Sequence, residues 1–186
     1  MKKEKGLSLI ELLVTLAIVV CLISVGIPSF IDFLVRTKVD NEIYRVSKLL
    51  QVARNTSIHS NSYVTVCPVD TNTLCQLDWS KTIIVFTDAN NNKVFEPHLG
   101  EQQLSHKDAT SQGDKLLYAR TRTGITYAPT GHLSGWGQNG TFKYCPKDHY
   151  DKARGIVVAT SGRIYQSFQN LSGRNITRSR RTISCT

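Results

Sequence analysis

Five cysteines raise the first chemical question in this 186-residue chain. Cys21 lies inside an apolar N-terminal run, whereas Cys67, Cys75, Cys145 and Cys185 lie in the polar remainder. An even set of thiols in an exported region reads as disulfides, and four thiols allow three pairings. Cys67–Cys75 and Cys145–Cys185 are the expected pairs. The first closes a tight loop after a strand; the second ties down a C-terminus that would otherwise fray. Zinc is the competing chemistry, through Cys145 and His149, but no C-x-x-C pair exists. No metal is therefore expected. His59, His98, His106, His132 and His149 have no triad-like spacing with Ser or Asp, so neither an enzyme nor a cofactor is expected. Asp88-Ala-Asn90-Asn91-Asn92 has the look of a calcium loop. An EF-hand needs glycine at its sixth position and glutamate at its twelfth; here those are Lys93 and Leu99. The expectation is an Asx-rich turn.

Charge is the second resource. The formal net charge is +9, and no acidic residue follows Asp151. That tail holds Lys152, Arg154, Arg163, Arg174, Arg178, Arg180 and Arg181. Arginines grip phosphate in bidentate fashion and release counterions, so such a patch can bind DNA without reading its sequence. Tyr165 and Phe168 could add stacking. The alternative is a solvated basic face that meets an acidic neighbouring subunit.

The elements that position these groups begin with the N-terminus. Residues 12–31 are twenty consecutive uncharged residues. As a helix they span about 30 Å, enough to cross a bilayer core. Lys2, Lys3 and Lys5 precede them, which places the N-terminus in the cytoplasm and the rest of the chain outside. A secretory signal has a shorter apolar core with its cleavage site after it. Here the expected processing site comes first, at Gly6. Glu11 heads the apolar run; a charge deep in a bilayer costs about 2.5–3.5 kcal/mol, so it needs a positive partner.

Further on, Val35, Val39, Ile43, Val46, Leu50 and Ala53 make one apolar helix face. Asp32, Arg36, Lys38, Asp40, Glu42, Arg45, Lys48 and Arg54 fall on other positions. One helix over 7–60 is expected, kinked or broken at Pro28. Strand-rich runs follow at 63–67, 82–86, 115–119, 125–128, 141–144, 156–159 and 163–168, separated by turn-rich segments. Helix then strands is an α+β pattern. It divides into a leader (1–6), a membrane-spanning helix (7–31), an amphipathic half-helix (32–60) and a β-rich head (61–186).

Lys5-Gly6-Leu7-Ser8-Leu9-Ile10-Glu11-Leu12-Leu13-Val14 resembles the class III signal of type IV pilins and type II secretion pseudopilins. The resemblance implies cleavage after Gly6 by a prepilin peptidase, and N-methylation of Leu7, which stands where phenylalanine is commoner. It implies that Glu11 pairs with the N-terminal amine of a neighbouring subunit, and that Pro28 is the helix-kinking proline. Val52-Ala53-Arg54-Asn55, Val64–Cys67, Asp78-Trp79, Val85-Phe86-Thr87-Asp88 and Gly155–Val158 resemble the GspH/FimT/FimU group of minor pilins and pseudopilins. The implied fold is the type IV pilin fold, a long helix on an antiparallel sheet head. The implied role is a minor pilin that helps initiate or cap a pilus; a DNA-binding pilus subunit and a secretion pseudopilin are the alternatives. Implied partners are other minor and major pilins, the prepilin peptidase and an inner-membrane assembly platform, with DNA as a further partner. Some proteins of this group bind DNA through a C-terminal Gly-Arg-x-Arg element. Gly173-Arg174-Asn175-Ile176 holds one of its two arginines.

Overall fold

A computed structural model describes residues 8–70, 73–119 and 121–185. Gly6 and Leu7 lie outside the described residues. The chain divides into two compact units, Met1–Thr37 and Lys38–Thr186. One helix, α1 (Leu9–His59), contributes to both. It runs through Pro28 without a break, so the two-helix alternative does not hold. It ends where Asn61 turns left-handed at φ 49° and the Ser62 N–H reaches back to the Ser57 carbonyl, a Schellman-type close.

In the first unit every described residue from Ser8 to Ile31 is exposed. The helix is long and apolar enough to cross a membrane. Cys21 is also exposed, rather than packed within the chain.

The second unit is built on two four-stranded antiparallel sheets. The first, in order β3-β2-β1-β5, comprises β1 (Val64–Val69), β2 (Thr82–Thr87), β3 (Gln103–Lys107) and β5 (Ile125–Tyr127). The second, in order β4-β6-β7-β8, comprises β4 (Lys115–Leu117), β6 (Gly140–Cys145), β7 (Arg154–Val158) and β8 (Ile164–Gln166). A short hairpin, β9 (Phe168–Gln169) with β10 (Asn175–Ile176), follows. Two sequence expectations need correction. The run 163–168 is two strands parted by Ser167, whose hydroxyl and N–H bond Gly155 instead. And β3 and β10 lack the apolar alternation that marks a strand.

The core sits between these layers. Val39, Ile43, Val46, Leu49, Leu50 and Ala53 of α1 are buried. Trp79, Tyr118 and Phe142 form an aromatic knot: Trp79 meets the other two edge-on at 5.3 and 4.9 Å, and Tyr118 stacks on Phe142 at 4.2 Å. Trp79 Nε1 donates to the Arg122 carbonyl at 2.9 Å, satisfying the only polar atom of that indole.

Helix charges that the sequence pattern leaves facing water instead bind the head. Lys38 pairs with Asp114 at 2.5 Å, Glu42 with the wholly buried Lys107 at 2.7 Å, Arg45 with Asp108 at 3.3 Å, and Asp40 with Arg154. Asp114 also accepts from the Tyr144 hydroxyl and the Lys147 N–H. Burial pushes the Asp114 carboxyl up, but the Lys147 N–H, the Lys38 ammonium and the Tyr144 hydroxyl outweigh it and hold it below the usual carboxylate range. Burial pushes the phenols of Tyr118, Tyr127 and Tyr144 far up, so they stay protonated.

Candidate functional site

The sequence directs attention to three places: the head of the apolar helix, the Asx-rich loop and the basic tail. Glu11 lies in the first turn of α1, where a carboxylate favours the positive end of the helix dipole. It is exposed, with exposed apolar side chains on all sides.

The Asx-rich loop is closed by its own donors. Asp88 is fully buried and accepts from the Thr65 hydroxyl at 2.6 Å and from the N–H groups of Asn92 and Lys93 at 2.9 and 3.1 Å. The Asn90 and Asn92 amides donate to Glu96, which lowers that carboxyl's pKa. Lys93 sits at φ 61°, the conformation for which glycine is preferred. No metal-ready cluster of His, Cys, Asp or Glu occurs among the described residues.

Two disulfides join Cys67 to Cys75 and Cys145 to Cys185. The first packs in a cluster with Ile84 and Phe86; the second packs with Ala153 and Ile183. The second also fastens the C-terminal arm across the outer face of β6 and β7. Gly155 permits this crossing, because a Cβ there would stand 2.9 Å from Ile183 Cδ1 and 2.6 Å from the Phe142 carbonyl.

The tail arginines have different surroundings. Arg178 lies over the Tyr165 ring at 4.5 Å. Arg180, at φ 58°, borders a hollow with Phe168, Leu171 and Ile176. Arg181 lines a different cleft, with Lys143 of β6. Arg174 is exposed after the β9–β10 turn, and Arg163 is exposed at the β7–β8 turn. The charge is nonetheless sharply partitioned. Residues 115–186 hold 12 Lys+Arg against Asp148 and Asp151, a net +10; residues 1–114 hold 11 against 12, a net −1.

Sequence reasoning passed over Lys143 and Trp136. Trp136 is fully exposed at 101%. It stands between Gly135 and Gly137, on a loop held by Gln138, whose Oε1 accepts from Thr126 N–H at 2.8 Å. A tryptophan flanked by two glycines inside a turn-rich segment was the available signal.

Comparison with known proteins decides the family. A family model described as type II transport protein GspH matches residues 43–162, and one described as a prokaryotic N-terminal methylation motif matches residues 1–27. The chain belongs to the GspH family. Two fimbrial proteins of Pseudomonas aeruginosa are each 35% identical over 72 residues, 38% of this chain and 47% of theirs. The match thus spans about half the length of those relatives. Among solved structures, the type IV minor pilin FimU of Pseudomonas aeruginosa superposes with a TM-score of 0.60 at 16% identity, covering 83% of this chain and 99% of FimU. A second crystal form of FimU gives 0.56 over 79% and 99%. At that identity the likeness concerns the fold, and the GspH-family head here has the pilin architecture: a long N-terminal helix on antiparallel sheets.

Proposed function

We propose that this chain is a minor pilin, a structural subunit rather than an enzyme, which helps to initiate or cap a type IV pilus. The observation that carries this reading is the glycine-then-glutamate signal at the head of an exposed apolar helix, within a matched N-terminal methylation motif. The precursor sits in the inner membrane with its N-terminus in the cytoplasm and its head outside. The prepilin peptidase cuts after Gly6, Leu7 becomes the methylated N-terminus, and the assembly platform extracts the subunit. In the filament the exposed apolar surface of residues 9–31 is covered by the helices of other pilins. Glu11 meets a neighbour's N-terminal amine there, where two opposite charges neutralise one another away from water. Pro28 is accommodated because neighbouring helices re-satisfy the backbone group it frees. A secretion pseudopilin would use the same parts.

The intact mass and N-terminal sequence of the mature protein test this. The expected result is a chain that begins at Leu7 carrying one extra methyl group. An intact Met1, or a cut beyond residue 31, would overturn it. Glu11→Ala is expected to leave membrane insertion intact and abolish filament entry, read by fractionating sheared filaments from membranes.

One observation supports DNA capture as a second reading, namely the net +10 of residues 115–186. Duplex DNA binding by the full chain in detergent would then fall steeply with salt. Replacing Arg163, Arg174, Arg178, Arg180 and Arg181 would abolish it; no binding at low salt would rule this reading out.

A further inference from the structure

The arm that crosses β6 and β7 is fastened to the sheet at its C-terminal end. Cys185 and Ile183 hold it to the sheet beside Cys145 and Gly155. Just upstream, residues 176–182 form a tight bracket. The Arg180 N–H donates to the Thr177 carbonyl and the Thr177 N–H to the Arg181 carbonyl, both at 2.9 Å, and Ile176 bridges Thr182. Between this bracket and the outer face of β6 and β7 lies a cleft of about 630 Å³, within the size range of ligand sites. Phe142, Tyr144, Ile156 and Val158 are buried. Strand alternation therefore turns Thr141, Lys143 and Val157 outward, onto the cleft floor. Arg181 lines the same cleft.

Lys143 and Arg181 have no carboxylate partner among the described residues. That contrasts with Lys38, Arg45, Lys107 and Arg154, which are matched to acids between α1 and the head. Two unpaired cations over a floor of methyl groups and hydroxyls suit a ligand with both acidic and apolar side chains. Of the other tail arginines, Arg178 is laid on the Tyr165 ring and Arg180 faces an adjoining hollow, so Lys143 and Arg181 are the cations that line this cleft. The loop bearing Trp136 ends at Asn139, which also lines the cleft. Trp136 is fully exposed, and tryptophan is enriched among the side chains that carry protein–protein contacts.

We infer that this cleft is the docking site for an extended acidic segment of a neighbouring subunit. Lys143 and Arg181 receive its carboxylates, and Val157 receives an apolar side chain between them. That the partner is a subunit rests on the filament reading above; the cleft and its ligand chemistry do not.

The test uses the full chain in detergent micelles and a fluorescein-labelled peptide of alternating glutamate and valine, read by anisotropy. Lys143→Gln and Arg181→Gln are each expected to weaken binding roughly tenfold, the scale of one charged hydrogen bond. Arg174→Gln removes the same charge outside the cleft and is expected to change it less than about twofold. Both cleft side chains lie at the surface, so unchanged thermal melting will show that the variants are folded. Equal losses for all three variants would mean attraction by net charge alone and would overturn the proposal. So would no peptide binding, or binding only of a labelled single-stranded oligonucleotide with loss on the same two substitutions. The mature N-terminal mass from the same preparation reports separately on the filament reading.

Discussion

Lys107 is buried with 1% of its side chain exposed, and its ammonium has two partners: the Glu42 carboxylate at 2.7 Å and the Asp108 carbonyl at 3.0 Å. Replacing Glu42 with leucine would leave a buried cation with the carbonyl alone. Breaking a buried pair from one side costs about 3–5 kcal/mol. Glu42 keeps 12% of its side chain exposed, and the Asp108 carbonyl remains, so the lower end, about 3 kcal/mol, is expected. For a unit of this size that is a drop of about 6–12 °C in Tm. The converse change, Lys107→Met, should cost far less, about 1 kcal/mol. It leaves Glu42 within reach of water and of Arg45, whose Nη1 lies 3.3 Å away. Combining the two replaces an ion pair with apolar contact and should recover most of the loss. The assay is thermal unfolding in detergent with both disulfides intact, followed by near-ultraviolet circular dichroism from the Trp79, Tyr118 and Phe142 knot. The reasoning fails if Glu42→Leu melts within about 3 °C of the parent, or if the double variant is no better than the single one.

Further outcomes follow from other contacts. Opening Cys145–Cys185, which closes 40 residues, should cost about 4 kcal/mol by chain entropy, against about 2.5 kcal/mol for the 8-residue Cys67–Cys75 loop, read from denaturant midpoints of the Ser variants. The Asp114 carboxylate is held below its ordinary value, so its stabilising effect is present above about pH 4 and fades as pH falls through the lowered value. Asp114→Asn should therefore lose about 1–3 kcal/mol at neutral pH and approach the parent near pH 2; an equal gap at both pH values would exclude this role. Lys93→Gly should stabilise the head by about 0.5–1 kcal/mol, because the loop already holds a left-handed backbone there. Gly162→Ala should destabilise by more than about 2 kcal/mol, since at φ 72° its Cβ would collide with the Gly131 carbonyl; a neutral result in urea unfolding would refute that contact.

The sequence made the elements legible where burial is one-sided and apolar. Val39, Ile43, Val46, Leu50 and Ala53 mark the packed face of α1, and β1 and β2 stand out as runs of branched residues. It was silent where polar groups do the packing. β3 reads Gln-Leu-Ser-His-Lys, and its only fully buried side chain is the lysine, so no hydrophobic period could reveal it. Nor did Lys38, Asp40, Glu42 and Arg45 differ in type from the solvated charges beside them; only the long-range pairing of sheet and helix separates them. The same limit applies to the candidate site. Arg178-Ser179-Arg180-Arg181 reads as one basic cluster, yet Arg180 takes a left-handed backbone and Arg178 lies on a ring, surroundings that no residue type announces.

The helix charges also run in a particular order. Plus, minus, minus, plus along Lys38, Asp40, Glu42 and Arg45 faces minus, plus, plus, minus on Asp114, Arg154, Lys107 and Asp108. Sliding α1 by one turn would bring Glu42 to the place of Lys38, against Asp114. The helix from Lys38 onward and the sheets it packs on are thus keyed to one another. A hybrid subunit that borrows another pilin's rod would have to splice ahead of Lys38, or carry the four matching head residues across with it.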